Sequence, residues 1–567
     1  MSNFSINPNC PASVMKGRLA STNARHLMAR VGVDVIREFG PSVCSDPMSQ
    51  RGFYSKVVEL GYDSICRRGL DPVLAMELDT IAAADRELFT GFGNVSRHNI
   101  LGLGLSVYPG LSSLSRAGAL FHEQRERAMQ VASLLEQNFR TPLGDPSPVS
   151  LLEDNPEWAT EQPDIRNIRG NIAGAVSQAL EEAYAIEDFL LDAGAKGITN
   201  VVVFGIGAND MYLKDLPMLI NSDGNSRRRL FSVFEPGQLS ELPDELTADN
   251  TLFIAISRGG GTQETLKSME FAYQQGRMRH LVTYANKGPV KEFAESRGGM
   301  LLGLENSIGG RYMWAKGKIV LVPLALTASR EAFEQYTDAM TEFDSAFWPV
   351  GEDRTILDLA SHMHLYMSAY NIPGIFACSN GPVLDAGLRQ FFQLHNEAVG
   401  KITNHTIAYG AGMEMLPFAH AGADGLLGAA ISAQVYGAFI FDTKYEPKTQ
   451  ALTPQDLVGA DLAHEGLTPE LLRMACVFPN QAKFTYAGAP NFMITMDGVN
   501  YRNLALMTAF YQNLMYPYLI MNGTNPDSNP NVAMVRSSTS GLITGLLEQE
   551  EKPPIEVIEE LVPGTMR

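Results

Sequence analysis

Phe253-Ile254-Ala255-Ile256-Ser257-Arg258-Gly259-Gly260-Gly261-Thr262-Gln263-Glu264-Thr265 is an apolar run that ends in a hydroxyl, breaks on three glycines and restarts at Thr262. The pattern predicts a buried strand, a glycine turn and a helix N-terminus. Such a turn aims backbone N–H groups, hydroxyls and the positive end of a helix dipole at one point, which makes an anion site. Ser257 and Thr262 would supply hydroxyls, Gly260 and Gly261 backbone N–H groups, and Arg258 charge. Three consecutive glycines, Gly259 included, are conformationally costly. A ligand that must approach the backbone accounts for them more readily than an ordinary strand-to-helix loop does.

The pattern extends outward on both sides of this stretch. Strand-like runs at Val201–Gly205, Leu230–Val233, Leu252–Ser257, His280–Tyr284 and Met300–Leu304 alternate with helical runs such as Thr262–Gln275 and Val290–Ser296. A long helical pattern, Ile168–Ala193, precedes them and stops at Gly194. A second series begins with a helix at Ile356–Asn371. It continues with a strand at Gly374–Cys378, a turn at Ser379-Asn380-Gly381 and a helix at Leu384–Ala398. Further strands are expected at Thr406–Tyr409 and Tyr436–Asp442. Strands alternating with helices give a doubly wound parallel α/β sheet. The expected architecture is therefore a mostly helical N-terminal region (residues 1–165), two related α/β domains (166–348 and 349–545) and a charged, proline-bearing tail (546–567). The N-terminal region contains an amphipathic helix at Ala119–Asn138. In open parallel sheets ligands bind at the carboxyl ends of strands. The turn Gly205-Ile206-Gly207-Ala208-Asn209-Asp210 falls at such an end, as does the triple glycine. A further segment, Gly309-Gly310-Arg311-Tyr312, sets a guanidinium where it can approach an oxygen-rich ligand closely.

The chain has 567 residues, 45% apolar and 19% charged, with a net charge of −19. That balance fits a globular protein and argues against nucleic acid or an anionic membrane as partner. Its five scattered cysteines form no CxxC pair and suit reduced thiols of a cytoplasmic enzyme. No secretory signal is visible at the N-terminus. The apolar run Ile319–Ala325 is broken by Pro323 and too short to span a bilayer. The ten histidines show no metal-ligand spacing, because His362 and His364 would diverge on a helix. No metal or other cofactor is expected. Arg227-Arg228-Arg229 reads as a solvated turn, and the 25 methionines as adaptable core filler.

Four ordered motifs give the chain a resemblance to the glucose-6-phosphate isomerase family, built of two sugar-isomerase (SIS) type α/β sandwich domains. Gly205–Asp210 resembles that family's Gly-Ile-Gly-Gly-Ser-Asp, and Ser257–Thr265 its Ser-Lys-Thr-x-Thr-Thr-x-Glu-Thr phosphate loop. Gly309-Gly310-Arg311-Tyr312 matches Gly-Gly-Arg-Tyr-Ser. Gln393-Leu394-His395-Asn396-Glu397-Ala398-Val399-Gly400-Lys401 resembles Gln-x-x-x-Glu-Ser-Asn-Gly-Lys. The likeness covers roughly residues 170–540. It implies aldose–ketose isomerisation of a small anionic sugar by a homodimer. Glu397 would be the base that moves the proton between C2 and C1. Arg311 would stabilise the cis-enediolate, since a guanidinium keeps its charge at neutral pH. Gln393 would orient the substrate, and Gly207, Asn209, Asn529 and Lys401 fall on motif positions around the ligand.

The departures from the family pattern bear on substrate and ring opening. Leu427, in Gly422-Ala423-Asp424-Gly425-Leu426-Leu427, stands where the family places its ring-opening histidine. His420 and His395 lie nearby. His420 is the catalytic candidate, with a structural or substrate-contact role as the plainer reading of either histidine. Arg536 stands where the family has a C-terminal lysine, and arginine is a poor proton shuttle. Arg258 replaces a lysine, Gly259 a threonine and Asn209 a serine. These changes suit an anion of different shape, such as a sulfonate or a differently placed phosphate. The alternatives left open are an isomerase restricted to open-chain sugar and a catalytically silent sugar-phosphate-binding paralogue.

Overall fold

The computed structural model of the chain describes residues 103–104, 106–109, 118–140, 172–195, 197–205, 213, 215–304, 316–347, 355–364, 367, 374–379, 381–399, 407–410, 435–442, 491–522 and 544–548. Gly207, Asn209, Arg311, Lys401, His420, Leu427, Asn529 and Arg536 lie outside the described residues, as do the Asp210 and Asn380 turn positions.

The first unit runs α2 (Ile172–Asp192), β2 (Asn200–Phe204), α3 (Asp215–Ser222), β3 (Arg229–Val233), β4 (Thr251–Ile256), α4 (Gln263–Gln274), β5 (His280–Tyr284), α5 (Pro289–Ser296) and β6 (Met300–Leu302). Its five strands lie in the order β3-β2-β4-β5-β6, all parallel. β2, β4 and β5 are buried along their whole length. A parallel strand covered on both faces shows this pattern, and it explains their unbroken apolar runs. Alternate residues still part to opposite faces. Val201, Val203, Leu252, Ile254 and Ile256 join one core with α2 and the helices that follow the sheet. Val202, Phe204, Phe253 and Ala255 join a second core with Met269 and Ala272 of α4 and Val290 and Ala294 of α5. The predicted stop of α2 is confirmed: Gly194 takes φ +68°, and the Gly194 and Ala195 N–H groups donate back to Leu191 and Leu190.

After the first sheet come α6 (Lys318–Thr327), α7 (Arg330–Phe347) and α8 (Thr355–His364). The second unit then follows with β7 (Gly374–Ser379), α9 (Pro382–Val399), β8 (Ile407–Gly410), β9 (Val435–Asp442), β10 (Asn491–Met496) and α10 (Tyr501–Met521). β10, β9, β7 and β8 form a parallel sheet. Its edge next to β10 is taken by an antiparallel strand from the N-terminal region, β1 (Ser106–Pro109). The same region supplies the amphipathic helix α1 (Gly118–Arg140), which packs on α8 and α10. α10 is buried on almost every side. It packs against α7, α8 and α9, so one apolar core reaches from the first sheet to the second. Met496, Met507, Met515 and Met521 lie in that core, as the reading of methionine as filler requires. No described helix is long and apolar enough to cross a membrane. His362 and His364 take separate partners, the Tyr436 hydroxyl at 2.6 Å and Asn522 Oδ1 at 3.0 Å. Burial pushes His362 down to about 3, so its ring is neutral.

Arg228 corrects the sequence reading of the arginine triplet, while the Arg227 and Arg229 side chains are solvent-exposed as expected. Arg228 is mostly buried and holds both carboxylate oxygens of Glu187 on α2, at 2.6 and 2.8 Å. It also donates to the Leu326 carbonyl at 2.9 Å and to Ile198 at 3.1 Å, while Arg227 reaches the Ala325 carbonyl. Their backbone N–H groups both donate to the Thr327 carbonyl. Arg227 and Arg228 therefore cap the open C-terminal carbonyls of α6 and tie that helix to α2. A local reading missed this because α6 lies far along the chain. Arg228→Met should lower stability by about 2–4 kcal/mol, since it leaves two carbonyls without that donor and Glu187 with only the exposed Arg227 at 3.3 Å. The urea midpoint measures it; a midpoint equal to wild type would refute the cap.

Candidate functional site

Strand β2 is the first of its sheet, and the chain then turns left to β3 and right to β4. The β2/β4 boundary is thus the switch point, where a crevice opens at the carboxyl ends of the strands. Gly205 continues β2 there, its N–H donating to the Val233 carbonyl at 3.2 Å. On the other side, Ser257 continues β4, its N–H donating to the Tyr284 carbonyl of β5 at 3.0 Å. Ser257 is buried, and its hydroxyl shares a hydrogen bond of 2.8 Å with the Thr262 hydroxyl. Thr262 is the N-cap of α4 by backbone shape but makes no side-chain cap bond. Its hydroxyl is turned to Ser257, leaving the first-turn N–H groups of α4 without that cap. Arg258, Gly259 and Gly261 are exposed beside the paired hydroxyls. Two hydroxyls, an uncapped helix start and a guanidinium therefore share one corner at the switch point. Glu264, in the first turn, is the opposing charge.

The three glycines have different reasons to be there. Gly260 takes φ +67°, and a Cβ on it would stand 1.4 Å from the Lys287 carbonyl oxygen. Gly288 mirrors it at φ +82°, with the Gly260 carbonyl 2.9 Å from its own would-be Cβ. The two backbones press together, and the Val290 N–H seals the contact on the Gly260 carbonyl at 3.0 Å. The Gly260 N–H closes the turn on the Ser257 carbonyl. The Gly260 N–H, expected to face a ligand, is engaged within the turn instead, and Gly260 shapes that turn. A Cβ on Gly259 or Gly261 would meet no heavy atom within 4 Å. Packing does not require glycine at those two positions, and both leave the backbone open to close approach.

The described residues that flank Arg311 return to the same strand end. Leu304 exchanges two hydrogen bonds with the Asn286 side chain, at 2.6 and 2.8 Å, two residues before Gly288. On the other flank, Lys316 is buried against Asp344, with Nζ 2.5 and 2.6 Å from its two oxygens. Lys318 holds Glu182 at 2.8 Å, and Glu182 accepts from the Tyr284 hydroxyl at 2.8 Å. Burial, then the Glu182 charge, keeps the Tyr284 phenol well above its usual range, so it stays a donor. The same Tyr284 carries the carbonyl that receives Ser257. Sequence reading named none of Glu182, Tyr284 and Lys318. Each is a common residue in an ordinary local setting, and only the fold joins them.

In the second unit, Gln393 is half-buried on α9. Gln390, Gln393 and Glu397 lie on one stripe of that helix by register. His395 faces the core instead: it is fully buried, with its ring stacked on Tyr518 at 6.0 Å. That places it in the structural role expected as the plainer reading. β7 ends at Ser379, whose hydroxyl donates to Asp385 in the first turn of α9. Between the units lies a group the sequence did not suggest. Asp215, first residue of α3, is buried, and its carboxylate accepts from Gln390 Nε2 at 2.7 Å and from the Leu216 N–H at 2.8 Å. Burial raises it to about 7 despite the Leu216 bond. The native state therefore holds a proton that the unfolded chain releases from about pH 4 upward. Stability from this group is whole below pH 4 and lost as pH rises to about 7, by at most about 4 kcal/mol. Asp215→Asn should remove that slope. Urea midpoints at pH 5 and pH 8 check it, and parallel curves for the two proteins would refute it.

Comparison with known proteins follows the same line. No protein-family profile matches the chain. A glucose-6-phosphate isomerase of Thermus thermophilus is 28% identical over 316 residues, which cover 53% of this chain and 66% of that one. One from Chlamydia trachomatis is 26% identical over 197 residues, 33% of this chain and 36% of that one. The alignments thus span under two thirds of the length of these relatives. Among solved structures, a glucose-6-phosphate isomerase from Chlamydia trachomatis superposes with a TM-score of 0.57. It covers 89% of this chain and 98% of its own at 17% identity. A hypothetical protein from Thermus thermophilus gives 0.53, with 76% and 97% covered at 20% identity. The solved structures share the fold, and the partial sequence likeness supports a divergent relative of the glucose-6-phosphate isomerases.

Proposed function

We propose that the protein is an aldose–ketose isomerase that interconverts an anionic hexose, glucose 6-phosphate and fructose 6-phosphate or a close analogue, through a cis-enediolate. Glu397 takes the proton from C2 and returns it to C1. Arg311 holds the charge that develops on the two oxygens. Ser257, Arg258, Gly259, Gly261 and Thr262 clamp the anion, with Gly260 shaping the clamp and Gly207 and Asn209 beside it. Gln393, Lys401 and Asn529 orient the sugar, and Arg536 and His420 stand where proton handling during ring opening would occur. By the same reading the enzyme works as a homodimer in the cytoplasm, on the path of glycolysis and gluconeogenesis.

One observation supports this most. The glycine turn sits at the switch point beside β5; on one flank of the Arg311 segment Leu304 pairs with Asn286 just beyond β5, and on the other Lys318 reaches Tyr284 of β5 through Glu182. The test is proton exchange: C2-deuterated glucose 6-phosphate in ordinary water should lose its label in the presence of the enzyme. Retention of the label in every sugar phosphate that binds would favour the silent binding paralogue instead. The guanidinium-rich, hydroxyl-poor clamp favours a second anion class. Thermal-shift titration with hexose phosphates and sulfonated hexoses decides between them, and no shift with either removes the clamp.

A further inference from the structure

We propose that Asp215 and Gln390 are a positioning pair that fixes the register of α9, and so the place of Gln393 and Glu397, against the first unit. This rests on the isomerase reading for its catalytic consequence, but the contact itself is structural. Asp215 opens α3, the helix that follows the Gly205 turn at the switch point. Its Oδ2 accepts from Gln390 Nε2 at 2.7 Å, and Gln390 Oε1 accepts from the Thr508 hydroxyl of α10 at 2.9 Å. One helical turn before Gln390, a Cβ on Gly387 would stand 3.6 Å from the same Asp215 oxygen, so the backbone of α9 lies close against the carboxylate. All three side chains are at least 98% buried.

In the structure the chain runs from the Thr508 hydroxyl through the Gln390 amide to the Asp215 carboxyl, each side chain held by the next. A slide or rotation of α9 breaks two of its bonds at once in a low-dielectric core, where unpaired polar groups are costly. Apolar side chains would hold the helices together equally well, but they would tolerate neighbouring registers. Position 397 lies seven residues beyond Gln390 on the same stripe, about 10 Å along the axis. An error at the pair is therefore delivered directly to the candidate base.

Gln390→Met keeps the volume and removes both bonds. It should lower kcat for glucose 6-phosphate by about a hundredfold, the size of effect expected from a 1 Å misplacement, while KM changes less than about threefold. Deuterium exchange of the peptide 390–399, read without substrate, should speed up in the same variant. Asp215→Asn can keep the chain if the Gln390 amide turns over. The new amide then donates to Gln390 Oε1, and Gln390 Nε2 donates to Thr508. Its kcat should stay within about threefold of wild type. If Gln390→Met fails to fold, the double variant Asp215→Leu, Gln390→Met removes the unpaired carboxylate and tests the same loss, since the Thr508 hydroxyl can bond within its own helix. Wild-type kcat and wild-type exchange in the Gln390 variant, or equal damage in the Asp215→Asn variant, overturns the pair. If the wild type isomerises no sugar phosphate, the isomerase reading falls, and the exchange of 390–399 alone then decides the pair.

Discussion

Gly260→Ala should abolish binding of the sugar anion and cost about 3–5 kcal/mol of stability. The new methyl carbon would sit 1.4 Å from the Lys287 carbonyl oxygen, a backbone atom that no side-chain rotation can clear. The φ of +67° adds about 1–2 kcal/mol of its own for any residue with a Cβ. The turn must open, and three contacts go with it: the Gly260 N–H to Ser257, the Val290 N–H to Gly260, and the seat against Gly288. Gly259→Ala is the control. Its Cβ meets nothing within 4 Å, so stability should stay within about 1 kcal/mol while anion affinity falls. Urea denaturation paired with thermal-shift titration separates the two. Equal losses of stability in both variants would show that the glycines serve flexibility in general and not this one backbone contact.

Glu397→Gln should lower isomerisation by about 10²–10⁴-fold, the range for loss of a positioned general base. The amide matches the carboxylate in shape but cannot accept the C2 proton. Substrate affinity, read by thermal shift, should change little, because the anion clamp lies in the other unit. The matching outcome is retention of the C2 deuterium by bound sugar in the variant and its loss in wild type. If the variant still exchanges the label at the wild-type rate, the base is elsewhere, and the reading of α9 as the catalytic helix fails. The fall in kcat should exceed any rise in KM, which distinguishes a lost transition-state contact from lost binding.

The first sheet and strands β7, β8 and β9 of the second were legible because parallel strands buried on both faces leave continuous apolar runs punctuated by glycine, as in β2, β4 and β5, whereas β10 went unread. Elements buried all round gave no such signal. α10 is buried from Tyr501 to Met521 almost without a polar stripe, so no helical period stands out. α6 carries Pro323 inside a fully buried helix, and the proline reads as a break although the helix continues to Thr327. β1 spans four residues and exists only by pairing with β10 far along the chain. The same contrast holds at the candidate site. The Ser257 turn declares itself because hydroxyls, glycines and helix start are contiguous. Asp215, Gln390 and Thr508 come from three separated segments, and no local pattern marks any of them. Asp215 before Leu216-Pro217 does signal a helix start, but nothing in that signal says the carboxylate is buried.

The clasps at Leu304 and Lys316 have a consequence for how such a protein can change. Each flank is fastened to the scaffold on its own, one through Asn286 and the other through Asp344. The stretch around Arg311 can then change in length without loosening either flank. Extra length there adds only the slow logarithmic entropy of a longer closed loop, about 0.6 kcal/mol per doubling. Insertions and deletions beside Arg311 can therefore arise between fixed rivets, without disturbing the sheet.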